Sequence, residues 1–401
     1  MTEAPSPTRW PTAVRQRLEN AAIDADDLLD AAWRRFDARM GRNLPRHFAV
    51  YRGYADARGA ELFGRVLAEA PQGGPLDTDG WWDNLLNTYR RFDSREVPGV
   101  AISVRFRDAQ VDTLSDHEGY YTAAPSTTAV PSDQLWDNAM VSLHDGTLAT
   151  PQPLLQVGED AGFGVISDID DTVLHTGITS WKTAAQLTFL HNARTRKPLD
   201  GVAKLYQALQ HGSHGSGCHP IFYVSSSPWN MYDLLEDFME LNAIPCGPLF
   251  LRDYGTDPGK FIATPGHEHK LERTRMLIER FPQLRWVLMG DSGQADAELY
   301  AQAARSFGDR IAAIYIRDVD PEADSPYDLK VDGFIERVAG TSVPMLRARD
   351  SLAITGHAAG LGLIGTEAVA QVAAEVRRDQ QRPELGEAAV DSAVEAGPAP
   401  T

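Results

Sequence analysis

The spacing of apolar positions changes twice along the chain, and each change predicts a different kind of element. Over residues 12–42, Val14, Leu18, Leu28, Leu29, Trp33 and Phe36 recur at helical spacing, which predicts an amphipathic helix or a helical pair. From residue 47 the pattern shortens. HFAVYRGY, AELFGRVLAEA, GVAISVRF and AQVDTL are brief apolar stretches separated by Gly, Pro and Asp, and SDHEGYYTA reads as a turn into an aromatic strand. Residues 47–158 are therefore expected to form a small, mostly antiparallel, sandwich-like β domain. GWWDNLLNTYRRF interrupts it with a helix, and Trp81 and Trp82 are expected in its core.

From Gly162 onward, fully apolar runs (GFGVIS, IFYVS, RWVLMG, RIAAIYI) alternate with helical stretches (LDGVAKLYQALQ, WNMYDLLEDFMELN, HKLERTRMLIERF). Continuous apolar runs suit strands buried on both faces, and strands alternating with helices predict an α/β fold with a doubly wound, mostly parallel sheet over residues 159–345. Residues 1–46 are expected to be a Pro/Ser/Thr-rich tail and the helix. Residues 346–401 are expected to hold one more helix and an Ala/Glu/Pro-rich acidic tail of disordered composition.

Charge narrows the function classes. Lys and Arg total 38 against 56 Asp and Glu, a formal charge of -18, which argues against a broad nucleic-acid surface and against electrostatic docking on anionic lipid. An anionic substrate remains compatible, because a bound cation and one lysine reverse the sign locally. Two cysteines, Cys218 and Cys246, make no disulfide framework. With no secretory h-region and no run long enough to span a bilayer, the expectation is a cytoplasmic protein without a transmembrane segment.

The chemistry concentrates in GFGVISDIDDTVLHTG, where an apolar strand runs into Asp168, Asp170, Asp171 and Thr172. Three carboxylates in four positions repel one another and call for a compensating cation. A cluster of this kind also arises as a helix cap, or as the DxD of a metal-binding nucleotide-sugar transferase. Downstream, IFYVSSSPWN puts Ser225 after a second apolar strand, GHEHKLERT puts Lys270 at the start of a helix, and RWVLMGDSGQAD puts Asp291 after a third strand with Asp296 following.

These four features, in this order, resemble the motifs of the haloacid-dehalogenase-like superfamily. The resemblance implies a phosphatase, and the short stretches between Asp171 and the second strand and between Ser225 and Lys270 leave room for a small cap or none. Asp168 would be the nucleophile that forms an aspartyl-phosphate, and Asp170 the acid/base, a task that needs a raised pKa. Ser225 would bind a phosphoryl oxygen, and Lys270 would neutralise charge. Ser226 and Thr172 join as candidate substrate contacts, although a structural role for the Thr172 hydroxyl, tying the loop, is the plainer expectation. The implied ion is held by Asp168, the backbone carbonyl of Asp170, and Asp291; Asp296 either holds a metal-bound water or caps a helix. Mg²⁺ suits an all-oxygen site of this kind.

The wording of the motifs narrows the resemblance. ISDIDDTVLHTG, YVSSSPWNMYDLL, FLRDYG and LMGDSGQADAELY are similar to the actin-patch-associated phosphatidate phosphatase family, related to the lipins, and the upstream SDHEGYYTA resembles its bacterial members. That family implies Mg²⁺-dependent hydrolysis of phosphatidate to diacylglycerol, with transient docking on a phospholipid membrane surface. Alternatives are a phosphatase for a soluble phosphomonoester or phosphoprotein, and a non-catalytic scaffold that recruits partners through the β domain. Trp181, Trp229 and Met231 are candidates to meet acyl chains, with a core role the commoner outcome. The loop QHGSHGSGCHP, with His211, His214, Cys218 and His219, matches no standard zinc spacing, and His267 and His269 beside Lys270 are expected to do nothing chemical.

Overall fold

The computed structural model describes residues 46–68, 97–129, 134–158, 161–174, 198–215, 217–252, 266–320 and 325–381. The expected N-terminal helix, the helix with Trp81 and Trp82, Trp181 and the acidic tail lie outside these residues, as does the side chain of His267.

The first eight strands are β1 (His47–Val50), β2 (Gly53–Asp56), β3 (Gly59–Leu67), β4 (Ala101–Phe106), β5 (Ala109–Leu114), β6 (Tyr120–Ala123), β7 (Trp136–Leu143) and β8 (Ala149–Gln156). They run in the order β1-β3-β2-β8-β7-β4-β5, with β6 also on β3, and every pairing but β2 with β8 is antiparallel. β3 is long enough to serve two neighbourhoods: residues 59–61 pair with β2, and residues 62–67 pair with β6 and β1. The alternating burial of β3 and β4 puts Leu62, Val66, Ile102 and Val104 into one core with Val141 and Leu154. The apolar pattern does not single out β7 and β8.

The remaining elements follow the alternation expected of them. They are β9 (Phe163–Ser167), α1 (Val202–His211), β10 (Ile221–Pro228), α2 (Tyr232–Leu241), β11 (Leu249–Arg252), α3 (Gly266–Arg280), β12 (Arg285–Asp291), α4 (Asp296–Phe307), β13 (Ile311–Arg317), α5 (Pro326–Val338), β14 (Met345–Ala348), α6 (Ser351–Gly360) and α7 (Glu367–Gln381). The six strands form one sheet in the order β11-β10-β9-β12-β13-β14, and all five pairings are parallel. The apolar side chains of α1, α2, α6 and α7 share a core on one face, and those of α3, α4 and α5 on the other. The strand order changes direction between β9 and β12. The carboxyl ends of those two strands therefore border the crevice where open α/β sheets take ligands.

Local sequence explains the tightness of the sheet. Gly164 in β9 lies against the Trp286 ring of β12; a Cβ there would stand 2.6 Å from the indole, so only glycine lets the two central strands carry that buried tryptophan. Beyond residue 345 the chain adds the sixth strand and two helices rather than one. Val372 of α7 is fully buried, and Asp379 accepts the Gly201 backbone N–H ahead of α1 at 2.9 Å.

The β strands and the parallel sheet share side chains. Tyr51 stacks on Trp229 and packs on Tyr232, while Tyr54 packs edge-on against Phe222 and Phe281. Arg52 pairs with Glu236 and Glu240 of α2, each at 2.6 Å, and Arg280 of α3 pairs with Asp56 at 2.8 Å. Met231, a candidate acyl contact, is buried in this core instead; Trp229 is half-buried and engaged by Tyr51. Among the described residues no helix is long and apolar enough to cross a membrane.

Candidate active site

β9 delivers Asp168 at its carboxyl end, and the Asp168 backbone N–H is tied to Met289 of β12 at 2.9 Å. The chain then turns sharply. Asp171 sits at φ 54°, a left-handed conformation that aspartate tolerates better than most residues, and its N–H donates to Leu174. Three further backbone bonds to the Ile169 carbonyl, from Thr172, Val173 and Leu174, close the turn. These backbone bonds hold the loop: the buried Thr172 hydroxyl has no partner among the described residues, in place of the expected hydroxyl tie.

β10 supplies the second wall. Its pairing with β11 slips between Val224 and Pro228, so two extra residues bulge where the strand meets the site. Ser225 and Ser227, two apart and so on the same side of the strand, both donate to Asp170 Oδ2, at 2.9 and 3.1 Å. Ser226 between them is half-buried. In the sequence the one signal for Ser227 is its two-residue spacing from Ser225.

α3 and the turn after β12 supply the charge-bearing side. Lys270 is buried and donates to Asp168 Oδ2 and Asp296 Oδ1, each at 2.9 Å. Asp291 Oδ1 accepts the backbone N–H groups of Gly293 and Gln294 at 2.7 and 2.9 Å. Asp296 reaches back to the Asp291 N–H at 3.3 Å, over Gly290, where a Cβ would stand 2.5 Å from the Asp296 side chain. Asp296 is thereby committed to Lys270 and to the turn. Gln294 donates to Asp168 Oδ2 and accepts from Lys270, both at 3.1 Å. A turn amide has no sequence pattern of its own.

Asp168, Asp170, Asp291, Asp296 and Lys270 are all at most 2% exposed, so among the described residues four carboxylates share one cation away from water. Burial pushes the Asp168 carboxyl well above the usual carboxylate range; Lys270 opposes this and the neighbouring aspartates add to it. Burial also raises Asp170, against the hydrogen bond from Ser225, the pull of Lys270 and the hydrogen bond from Ser227. Asp291 is raised by burial and then by Asp296. Burial works against the Lys270 charge, but Asp168 and Asp296 outweigh it and the ammonium is held above its ordinary value.

The surplus negative charge has a directional signature. Asp168 Oδ1, Asp170 Oδ1 and Asp291 Oδ2 are buried without a partner among the described residues. Asp168, Asp291 and Asp296 bring one oxygen each within 4.8 Å of one another. Unpartnered buried carboxylate oxygens cost free energy unless something cationic meets them. An all-oxygen donor set with excess charge fits a hard divalent ion.

Residues 163–318, the stretch that carries this site, match the family model described as "Phosphatidate phosphatase APP1, catalytic domain". Over 157 residues the chain is 36% identical to phosphatidate phosphatase APP1 of Saccharomyces cerevisiae, a match covering 39% of this chain and 26% of that protein. It is 28% identical over 159 residues to an uncharacterized protein of Schizosaccharomyces pombe, covering 39% of this chain and 25% of that protein. The match thus spans about a quarter of the length of these curated relatives. Among solved structures, a carbohydrate acetylesterase from Xanthomonas citri aligns over 77% of this chain and 72% of its own at 11% identity; its TM-score of 0.28 carries no argument about fold or chemistry. The segment that holds Asp168, Asp170, Ser225, Lys270 and Asp291 is accordingly similar to the catalytic domain described for phosphatidate phosphatase APP1.

Proposed function

We propose that the chain is a Mg²⁺-dependent phosphatase of the haloacid-dehalogenase-like kind, and that its substrate is phosphatidate, cleaved to diacylglycerol and phosphate. The observation that carries the reading is the convergence of the unpartnered Asp168, Asp170 and Asp291 oxygens beside Lys270, at the ends of β9 and β12. The phosphatidate name of the matching family supports the substrate.

In this reading Asp168 attacks phosphorus through Oδ1 while Oδ2 stays on Lys270 and Gln294. Asp170 gives its proton to the leaving oxygen and then takes one from the hydrolytic water, releasing Asp168 from the aspartyl-phosphate. Ser225 and Ser227 fix the Asp170 carboxyl by one oxygen and leave the other for proton transfer. Lys270 offsets phosphoryl charge next to the nucleophile. Asp168, the Asp170 carbonyl and Asp291 would hold Mg²⁺, which when bound supplies charge neutralisation for the transferring phosphoryl group. Asp296 positions Lys270. Ser226 and Thr172 are proposed to meet the phosphoryl oxygens. Residues 47–158 act as an accessory β domain fixed to a catalytic unit from residue 159 to about 345. The protein works at a membrane surface without spanning it.

The formal charge of -18 favours a rival reading, a soluble phosphomonoester as substrate. Purified protein assayed with Mg²⁺ on phosphatidate in mixed micelles and on small phosphomonoesters separates the two. Phosphate release from phosphatidate, abolished by Asp168→Asn, is the expected result. Turnover of soluble esters alone overturns the lipid assignment, and full activity of Asp168→Asn overturns the mechanism.

A further inference from the structure

Gln294 lies in the turn between β12 and α4 and contacts three members of the site at once. Its backbone N–H donates to Asp291 Oδ1 at 2.9 Å. Its side-chain Nε2 donates to Asp168 Oδ2 at 3.1 Å, and its Oε1 accepts from Lys270 Nζ at 3.1 Å. The orientation of the amide is fixed by its neighbours. Turned over, it would set its oxygen against a carboxylate and its NH₂ against an ammonium, so only one placement satisfies both.

Counting donors and acceptors shows what this contact does. The Lys270 ammonium has three N–H donors, and they meet Asp168, Asp296 and Gln294. Asp168 Oδ2 receives two donors, Lys270 and Gln294, while Oδ1 receives none among the described residues. The two oxygens of the carboxylate are made unequal, and Gln294 supplies half of that inequality. Without it, one N–H···O contact would remain, about which the carboxylate can rotate. The same residue grips Asp291 through its backbone, so one residue touches both Asp168 and Asp291.

We infer that Gln294 is a positioning residue for the nucleophile, holding Asp168 by Oδ2 so that Oδ1 alone faces the phosphoryl group. This inference rests on the phosphatase reading above. A neutral amide is suited to the task because it can donate to Asp168 and accept from Lys270 without adding a fifth negative charge to the cluster. Glutamate at 294 would satisfy Lys270 but turn an acceptor against Asp168.

The test uses the full chain with Mg²⁺, a small aryl phosphate and phosphatidate in mixed micelles. Gln294→Met keeps the length and volume but neither hydrogen bond, and Gln294→Glu keeps the shape but loses the donor. Both are expected to lower kcat on either substrate by about 100-fold, the scale of a misplaced reacting group. KM is expected to stay within about threefold, because ground-state binding is not what the contact serves. In Gln294→Met, Mg²⁺ binding titrated calorimetrically without substrate is expected to stay near wild type, since the Asp291 clasp is a backbone bond and no charge is added. Wild-type kcat in Gln294→Met would make the residue a space filler and overturn the inference. So would a raised KM at unchanged kcat, or a loss of Mg²⁺ binding that accounts for the loss of rate. Asp168→Asn in the same assay keeps the two levels apart: if it is inactive while the Gln294 variants are not, only the positioning role falls; if it is active, the nucleophile assignment falls and the inference with it.

Discussion

Tyr51, between β1 and β2, stacks on Trp229, with ring centroids 4.9 Å apart and planes 24° from parallel. Trp229 directly follows Pro228, at the end of the bulged stretch that presents Ser225 and Ser227. The contact therefore links the segment between β1 and β2 to the wall of the site, and Arg52, next in the chain, fastens the same junction by donating its N–H to the Tyr232 hydroxyl at 2.7 Å.

Truncating this stack should be felt in both stability and turnover. Tyr51→Ala is expected to cost about 3–5 kcal/mol in urea unfolding, as for other buried aromatics reduced to alanine. Phosphatase activity should fall further than the folded fraction explains, because Trp229 loses the partner that seats it. Tyr51→Phe should restore most of both. Equal activity in the alanine and phenylalanine variants would show that the junction is remote from the chemistry.

Lys270→Met removes a cation shared by Asp168 and Asp296. Stranding buried carboxylates in this way costs about 3–5 kcal/mol, so a clear drop in Tm should accompany the loss of activity. A variant with unchanged Tm would mean that the two carboxylates are protonated or solvated once the lysine is gone.

Asp291→Asn should do the reverse without metal. Relieving one of four crowded carboxylates is expected to stabilise the fold in EDTA by about 1 kcal/mol, read as a higher Tm, while activity is lost. Wild type should gain Tm on addition of Mg²⁺ and the variant much less, because ligand binding stabilises only where the site is intact. An equal Mg²⁺ response in both proteins would remove Asp291 from the proposed metal site.

His269, one residue before Lys270, gives a pH dependence of known sign. Burial, with the positive charge of Arg273 adding to it, lowers its pKa from 6.5 to about 4. The folded protein thus keeps the imidazole neutral where the unfolded chain takes up a proton. The stability contributed is present above pH 6.5 and is lost as pH falls toward about 4, up to about 3 kcal/mol for a shift of this size. His269→Gln should flatten the decline in urea midpoint between pH 7 and pH 5; an unchanged slope would assign the acid sensitivity to other groups.

How far the sequence alone reaches depends on which residues carry a physical pattern. Asp168, Asp291 and Lys270 are legible because each follows or opens an element that the apolar pattern defines, and because clustered charge demands compensation. The central strands are legible for the same reason, being apolar throughout. β8 hides behind Pro151 and Pro153, which argue against a strand until its pairing is seen: β2 joins β8 only at Leu154–Gln156, so at the prolines no N–H is needed on that side. β14 is four residues long and mostly half-buried, with no apolar run to mark it. Ser227 and Gln294 act through single hydrogen bonds made across the fold, which leave no periodic trace in the chain.

The strand order also sets a problem of timing during synthesis. β9 is made first of the six parallel strands, and one of its two neighbours, β12, begins about 120 residues later at Arg285. At ribosomal speeds of about 5–20 residues per second, one long side of an all-apolar central strand waits several seconds for its partner. Substitutions that slow or weaken the docking of β12, Gly164 and Trp286 foremost, should therefore lower soluble yield well before they lower the stability of molecules that do fold.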